Sequence, residues 1–145
     1  MSRRDDLHLP ARRALEKDGW IVTDDPFPLF LFGVWLKADL AAEKTFAAEK
    51  AGSKIAVEVK DFDGDSPTSD LEKTMGQLQL YQWALVEQEP EREMFLAISE
   101  EAYYKHFLKP LFRAVVERNR INLIVFDHEQ EVIVQWLKPQ STKTS

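Results

Sequence analysis

Apolar and polar positions change period several times along the chain, and each change marks an element. Leu7, Ala11, Ala14 and Leu15 form a stripe at helical spacing that Gly19 closes. They predict a first helix over about 5–18, with Pro10 in its first turn. Trp20 to Thr23 reads as a short strand and Asp24 to Pro28, with two prolines, as a turn-rich connector. The run from Leu29 to Trp35 is too apolar for an exposed loop, and reads as a strand, a packed loop or an association surface. From Ile55 to Lys60 the period is two, which predicts a half-buried strand. Ile55, Val57 and Val59 then face inward, and Glu58 and Lys60 share the opposite, solvated face. Ala51-Gly52 reads as a tight turn, so residues 37–62 form a β-hairpin. A two-residue turn sets Thr45 opposite Glu58 and Glu43 opposite Lys60, and puts odd positions from Asp39 to Glu49 on the face of Glu58.

Downstream, Ser66 or Ser69 caps a second helix over about 69–89, in which Leu71, Met75, Leu78, Tyr81 or Gln82, and Leu85 recur at helical spacing before Pro90. Glu93 to Ser99 is a buried-looking strand, followed by a helix with Glu100 and Glu101 in its first turn. That helix reaches about Leu108, and Pro110 breaks it or starts another that extends to about Asn119. Leu123 to Phe126 and Val132 to Leu137 are strands around a turn, and the tail from Pro139 reads as disordered. Strands interleaved with helices predict a single α/β domain over 1–138, with a mixed central sheet flanked by helices.

Composition narrows the classes. At 145 residues, 44% hydrophobic and 30% charged, the chain suits one soluble domain. The absence of cysteine excludes disulfides, thiol catalysis and cysteine-ligated zinc. The N-terminus has no apolar signal segment, and the longest apolar run, Phe27 to Leu36, is too short to span a bilayer. A cytoplasmic protein without a membrane partner is the expectation. The net charge of −6 argues against generic attraction to nucleic acid. One local signal runs the other way: Lys105, Lys109 and Arg113 lie at four-residue spacing and on one helix would form a DNA-binding ridge, although they also suit a solvated helix face.

The chemistry concentrates around Glu58. Mg²⁺ (or Mn²⁺) takes hard oxygen ligands and keeps several waters, so Asp39 and Glu58 suffice to hold it, with Glu43 a rival first carboxylate. A lysine beside the metal, Lys60, can position a water and offset charge on a phosphate. Asp39…Glu58-Val59-Lys60 has the layout of the PD-(D/E)xK phosphodiesterase site. Alone, a Glu-x-Lys pair on a strand is commonplace surface charge.

Longer stretches resemble the XisH family: Leu15 to Trp20, Ala38 to Glu43, Ala47 to Phe62, Asp70 to Tyr81 and Val125 to Leu137. The resemblance implies a restriction-endonuclease-like fold. It also implies a part in controlling excision of the fdxN DNA element during heterocyst development in cyanobacteria, beside a small XisI-type protein. The segment Gly76 to Tyr81 is similar to the Gln-hydrophobic-x-x-Tyr helix of RecB-type nucleases, which implies a supporting role for Gln77 and Tyr81. Ala38 stands where the motif carries proline, and His8 where some relatives carry a glutamate. Two functions follow as expectations: a Mg²⁺-dependent DNA endonuclease using Asp39, Glu58, Lys60 and Gln77, with His8 as an accessory, or a non-catalytic subunit that binds DNA or docks XisI and a site-specific recombinase. A pure interaction protein, alone or as a homo-oligomer, is the third.

Overall fold

A computed structural model describes residues 3–45 and 52–139. The elements are α1 (Arg3–Lys17), β1 (Ile21–Asp24), β2 (Phe27–Leu31), β3 (Val34–Ala38), β4 (Leu40–Lys44), β5 (Ser53–Val59), α2 (Pro67–Gln88), β6 (Glu93–Ser99), α3 (Glu100–Ala102), α4 (Pro110–Arg118), β7 (Asn122–Asp127) and β8 (Val132–Leu137). A π-helical turn, Tyr103–Phe107, continues α3. Six strands form one mixed sheet in the order β1-β4-β5-β6-β7-β8, parallel at β5/β6 and β6/β7 and antiparallel elsewhere. β2 and β3 form a separate hairpin.

The sheet is buried on both faces. On one, Leu7, Ala11, Ala14 and Leu15 of α1 pack over Leu40, Ile55, Val57, Val59, Ile124 and Phe126. α1 also reaches β8, at the far edge, where Trp136 packs near Trp20 and Phe95. On the other face, Leu71, Leu78 and Leu85 of α2 and Phe27, Leu29 and Leu31 of β2 cover Ala41, Ala56 and Leu96. Each of the larger side chains among them, Leu, Ile, Val or Phe, stabilises the fold by about 1.5–3 kcal/mol through burial.

Several expectations change. β5 is central and covered on both sides, so the face of Glu58 is not solvated. Runs buried on both faces sit at the middle of parallel sheets, where neighbouring layers override a period-two pattern. Glu43 pairs with Lys54 and Leu40 with Val57, six residues out of the expected register. Residues 45–52 join β4 to β5 in place of a two-residue turn, and Ala51 lies outside the described residues. Because six is even, Asp39 still shares the face of Glu58. Pro10 sits well inside α1 rather than in its first turn. The Leu29–Trp35 run is the β2–β3 hairpin itself, turning at Phe32 and Gly33, both at positive φ, the geometry of a tight hairpin turn. Ser66 caps α2, its Oγ accepting from the Ser69 amide at 3.1 Å. Beyond Pro139 the expected disordered tail falls outside the described residues.

Candidate functional site

Asp39 lies between β3 and β4, directly across from Glu58 near the end of β5. The two are joined reciprocally. The Asp39 amide donates to Glu58 Oε1 at 3.2 Å, and the Val59 amide donates to Asp39 Oδ2 at 2.8 Å. Each carboxylate is thus fixed to the backbone of the segment that carries the other, Glu58 to Asp39 and Asp39 to Val59. Glu58 is 0% exposed and Asp39 7%. Carboxylates so buried need compensation, and Lys60 supplies some, its Nζ 3.7 Å from Glu58 Oε2. Lys60 is itself held by its amide, which donates to the Ala97 carbonyl at 3.1 Å.

α2 supports this end of the sheet. The Tyr81 hydroxyl donates to the Lys37 carbonyl at 2.9 Å, tying the helix to the strand that leads into Asp39. Gln77, one turn before Tyr81, has a buried Oε1 with no partner among the described residues. An unpartnered buried amide oxygen is a costly group that calls for an explanation.

Other expected residues go elsewhere. Glu43, four residues along β4 from Asp39, is about 13 Å away by strand rise. It faces Arg92, whose Nη2 lies 3.4 Å from Glu43 Oε2 while its Nη1 donates to the Ile55 carbonyl at 3.0 Å. Glu43 is therefore held in an ion pair with Arg92, away from Asp39 and Glu58. His8 Nε2 lies 2.8 Å from Asp25 Oδ1, and Arg12 Nη1 donates to Asp25 Oδ2 at 2.9 Å. Burial raises the pKa of Asp25, but these hydrogen bonds outweigh it and hold the carboxyl below its ordinary value. Lys105, Lys109 and Arg113 do not form a ridge on one helix. Lys105 is in the π-helical turn, Lys109 is the N-cap of α4, and Arg113 follows in α4 after Pro110.

Sequence reasoning missed a cleft of about 290 Å³ lined by Asp6, Asp63, Glu101, Lys105, His106 and His128, among others. It opens where β5, β6 and β7 end, the edge of an open α/β sheet where ligands commonly bind. His106 is buried there, with Nδ1 unpartnered among the described residues. Burial lowers its pKa, and Lys109 and Lys105 add to the effect against Asp63 and the Phe62 carbonyl. The four separate segments that build the cleft explain why no spacing announces it. Arg92 was also missed; its signal, a lone arginine before an apolar strand, is weak.

As donors, Asp39 and Glu58 offer oxygen atoms alone. Among the described residues no three His, Cys, Asp or Glu side chains gather into a metal cage. The set therefore suits a hard ion completed by water, and not a thiol- or imidazole-bound one. No helix among the described residues is long and apolar enough to cross a membrane.

The XisH protein family model matches residues 1–134. The chain belongs to the XisH family. Two solved structures agree with this placement. One is an XisH family protein from Nostoc punctiforme PCC 73102, 38% identical, with a TM-score of 0.84 over 92% of this chain and 99% of that one. The other is a fdxN element excision controlling factor protein from Anabaena variabilis, 40% identical, with a TM-score of 0.82 over 92% of this chain and 98% of that one. Among curated proteins, none matches. The fold this XisH chain adopts, a mixed sheet between helical layers, is thus one that relatives share along nearly their whole length.

Proposed function

We propose that this XisH chain controls excision of a DNA element as a Mg²⁺-dependent endonuclease of the restriction-endonuclease-like class. The observation that carries the reading is the reciprocal clasp of Asp39 and Glu58, with Lys60 beside it. Asp39 and Glu58 hold the ion. An ion held by these two carboxylates would supply Lewis-acid polarisation of a phosphate oxygen and a more acidic water. Lys60, partly exposed, offsets the charge that grows on the phosphate. Gln77 offers its unpartnered oxygen to a water at the site, and Tyr81 keeps α2 in place. The test is cleavage of single-stranded, duplex and branched DNA. Mg²⁺-dependent cutting that EDTA stops and Glu58→Gln lowers at least 100-fold is expected, the order of loss for an essential electrostatic group. Metal-independent cutting, or a fully active Glu58→Gln, counts against it.

One observation favours a second reading, in which the chain binds DNA or docks a XisI-type protein and a recombinase without cutting. Glu58 has no exposed surface, so a substrate phosphate reaches it only after rearrangement. DNA binding with no cleavage under any metal supports that role.

A further inference from the structure

The cleft at the ends of β5, β6 and β7 is separate from the carboxylate clasp, since Asp39, Glu58 and Lys60 do not line it. Its walls come from the start of α1, the segment after β5, the helical stretch after β6 and the turn after β7. Together these bring four carboxylates, Asp6, Asp61, Asp63 and Glu101, against one ammonium, Lys105. Leu7 and Ala102 add apolar surface between the charges. His106 lines the same cleft. It is 5% exposed, its ring is stacked on Phe112 with centroids 6.0 Å apart, and its Nδ1 has no hydrogen-bond partner among the described residues. A buried nitrogen left without a partner is a cost that a bound ligand would remove.

The chemistry of the walls selects the ligand. Burial holds His106 towards its neutral form, and a neutral imidazole has one nitrogen that accepts a hydrogen bond. Carboxylates only accept when ionised, so a group that meets them and the ring together must be a donor with positive charge. A bare metal ion is a poor match. Among the described residues no three of these acids and histidines converge on one point, and Glu101 Oε1 already lies 3.5 Å from His128 Nδ1. Acceptors set apart along a cleft suit a longer molecule with donors at more than one place. At about 290 Å³ the space lies at the small end of ligand pockets, which run from about 300 to 1,000 Å³.

We propose that this cleft binds a small, extended organic cation, a di- or polyamine or an alkylguanidinium. Its N–H groups donate to His106 and to the carboxylates, and its methylenes lie along Leu7 and Ala102. Such binding is independent of whether Asp39 and Glu58 hold an ion. The test is calorimetric titration of the whole chain with putrescine, spermidine and agmatine at low ionic strength, alongside NMR of the histidine rings. At least one of the three should bind saturably, one per chain, and move the His106 ring signals. Asp63→Asn/Glu101→Gln should weaken that binding about tenfold or more, because each carboxylate takes a charge-assisted hydrogen bond. Glu72→Gln/Glu87→Gln removes the same charge from exposed positions on α2 and should change it less than about twofold, as screened, distant charges do. No saturable binding of any of the three overturns the proposal. So do unmoved His106 signals, or an equal loss in both double variants, which would mean diffuse attraction to an acidic protein. Should Asp63→Asn/Glu101→Gln fail to fold, the His106 signals of the wild type decide, titrated with spermidine against the same charge equivalents of K⁺: movement with spermidine alone supports the site, and equal movement with both overturns it. An arginine peptide that binds where the free amines do not also overturns it, and makes the cleft a docking point for a protein.

Discussion

Glu58 is a charged side chain with no exposed surface, and that alters what its replacement does. On a solvated face, Glu58→Gln would shift stability by about 0.5 kcal/mol at most. In its actual setting the new amide keeps an acceptor for the Asp39 amide but turns an NH₂ donor into a space shared with the Lys60 ammonium. A buried donor without an acceptor costs about 1–3 kcal/mol, and urea unfolding should show a loss of that order. Added Mg²⁺ should raise the melting temperature of the wild type, by an amount that corresponds to about 2.7 kcal/mol at a hundredfold excess over Kd, and leave Glu58→Gln unmoved. Equal shifts in both proteins would exclude the pair as the ion's site. His106 supports a separate expectation. Its pKa is lowered by burial and by Lys109 and Lys105, whereas the unfolded chain takes up that proton near pH 6.5. Its contribution is fully present above that pH and is lost as pH falls through the window down to the folded value. His106→Gln should flatten the decline in stability between about pH 7.5 and 5.5, read from urea midpoints. An unchanged slope would mean other groups carry it.

At the scale of elements, legibility followed periodicity. β6 and β8 were readable to the residue because Glu93–Ser99 and Val132–Leu137 are unbroken apolar or alternating runs with clear stops. α2 was readable within a few residues for the same reason. The hairpin of β2 and β3 was not, since its aromatic residues divide between the core and an outer surface. The register of β4 and β5 was missed because Lys44 pairs with Ser53, so that residues 45–52 connect the strands where a two-residue turn was expected. Parity survived the error, which is why Asp39 and Glu58 were still matched. Asp39, Glu58, Lys60 and Tyr81 could be read as a group, whereas Glu43 and His8 were lost to partners far away in the sequence, Arg92 and Asp25. Gly52 has a role other than the expected turn. A Cβ there would lie 2.6 Å from the Lys44 carbonyl oxygen, so the glycine allows β4 and β5 to close. Gly52→Ala should destabilise the fold by about 1–3 kcal/mol, as overpacking does. Gly76→Ala, with nothing within 4 Å of the added carbon, should instead stabilise α2 by about 0.5–1 kcal/mol. Urea midpoints of the two variants give the comparison, and a neutral Gly52→Ala would show that the strands can shift freely there.

For the molecule as a whole, the sheet joins two antiparallel edges through a parallel middle, and the carboxylate clasp lies where the β4–β5 edge meets that middle. The long-range contacts this demands are slow to form. α1 makes the demand most acute. Among the described elements it comes first, yet it packs against β8, which comes last, with Arg13 Nη1 donating to Glu131 Oε2 at 3.0 Å and Lys17 Nζ donating to the Gln130 carbonyl at 2.9 Å. On a ribosome that adds about 5–20 residues per second, the apolar stripe of α1 emerges on the order of 10 s before the strand it docks on. Through that interval Leu7 and Leu15 have no finished seat, and a nascent chain is open to chaperones and to its own neighbours on a polysome. Vectorial synthesis thus makes a helix that emerges well before β8 wait for its full place.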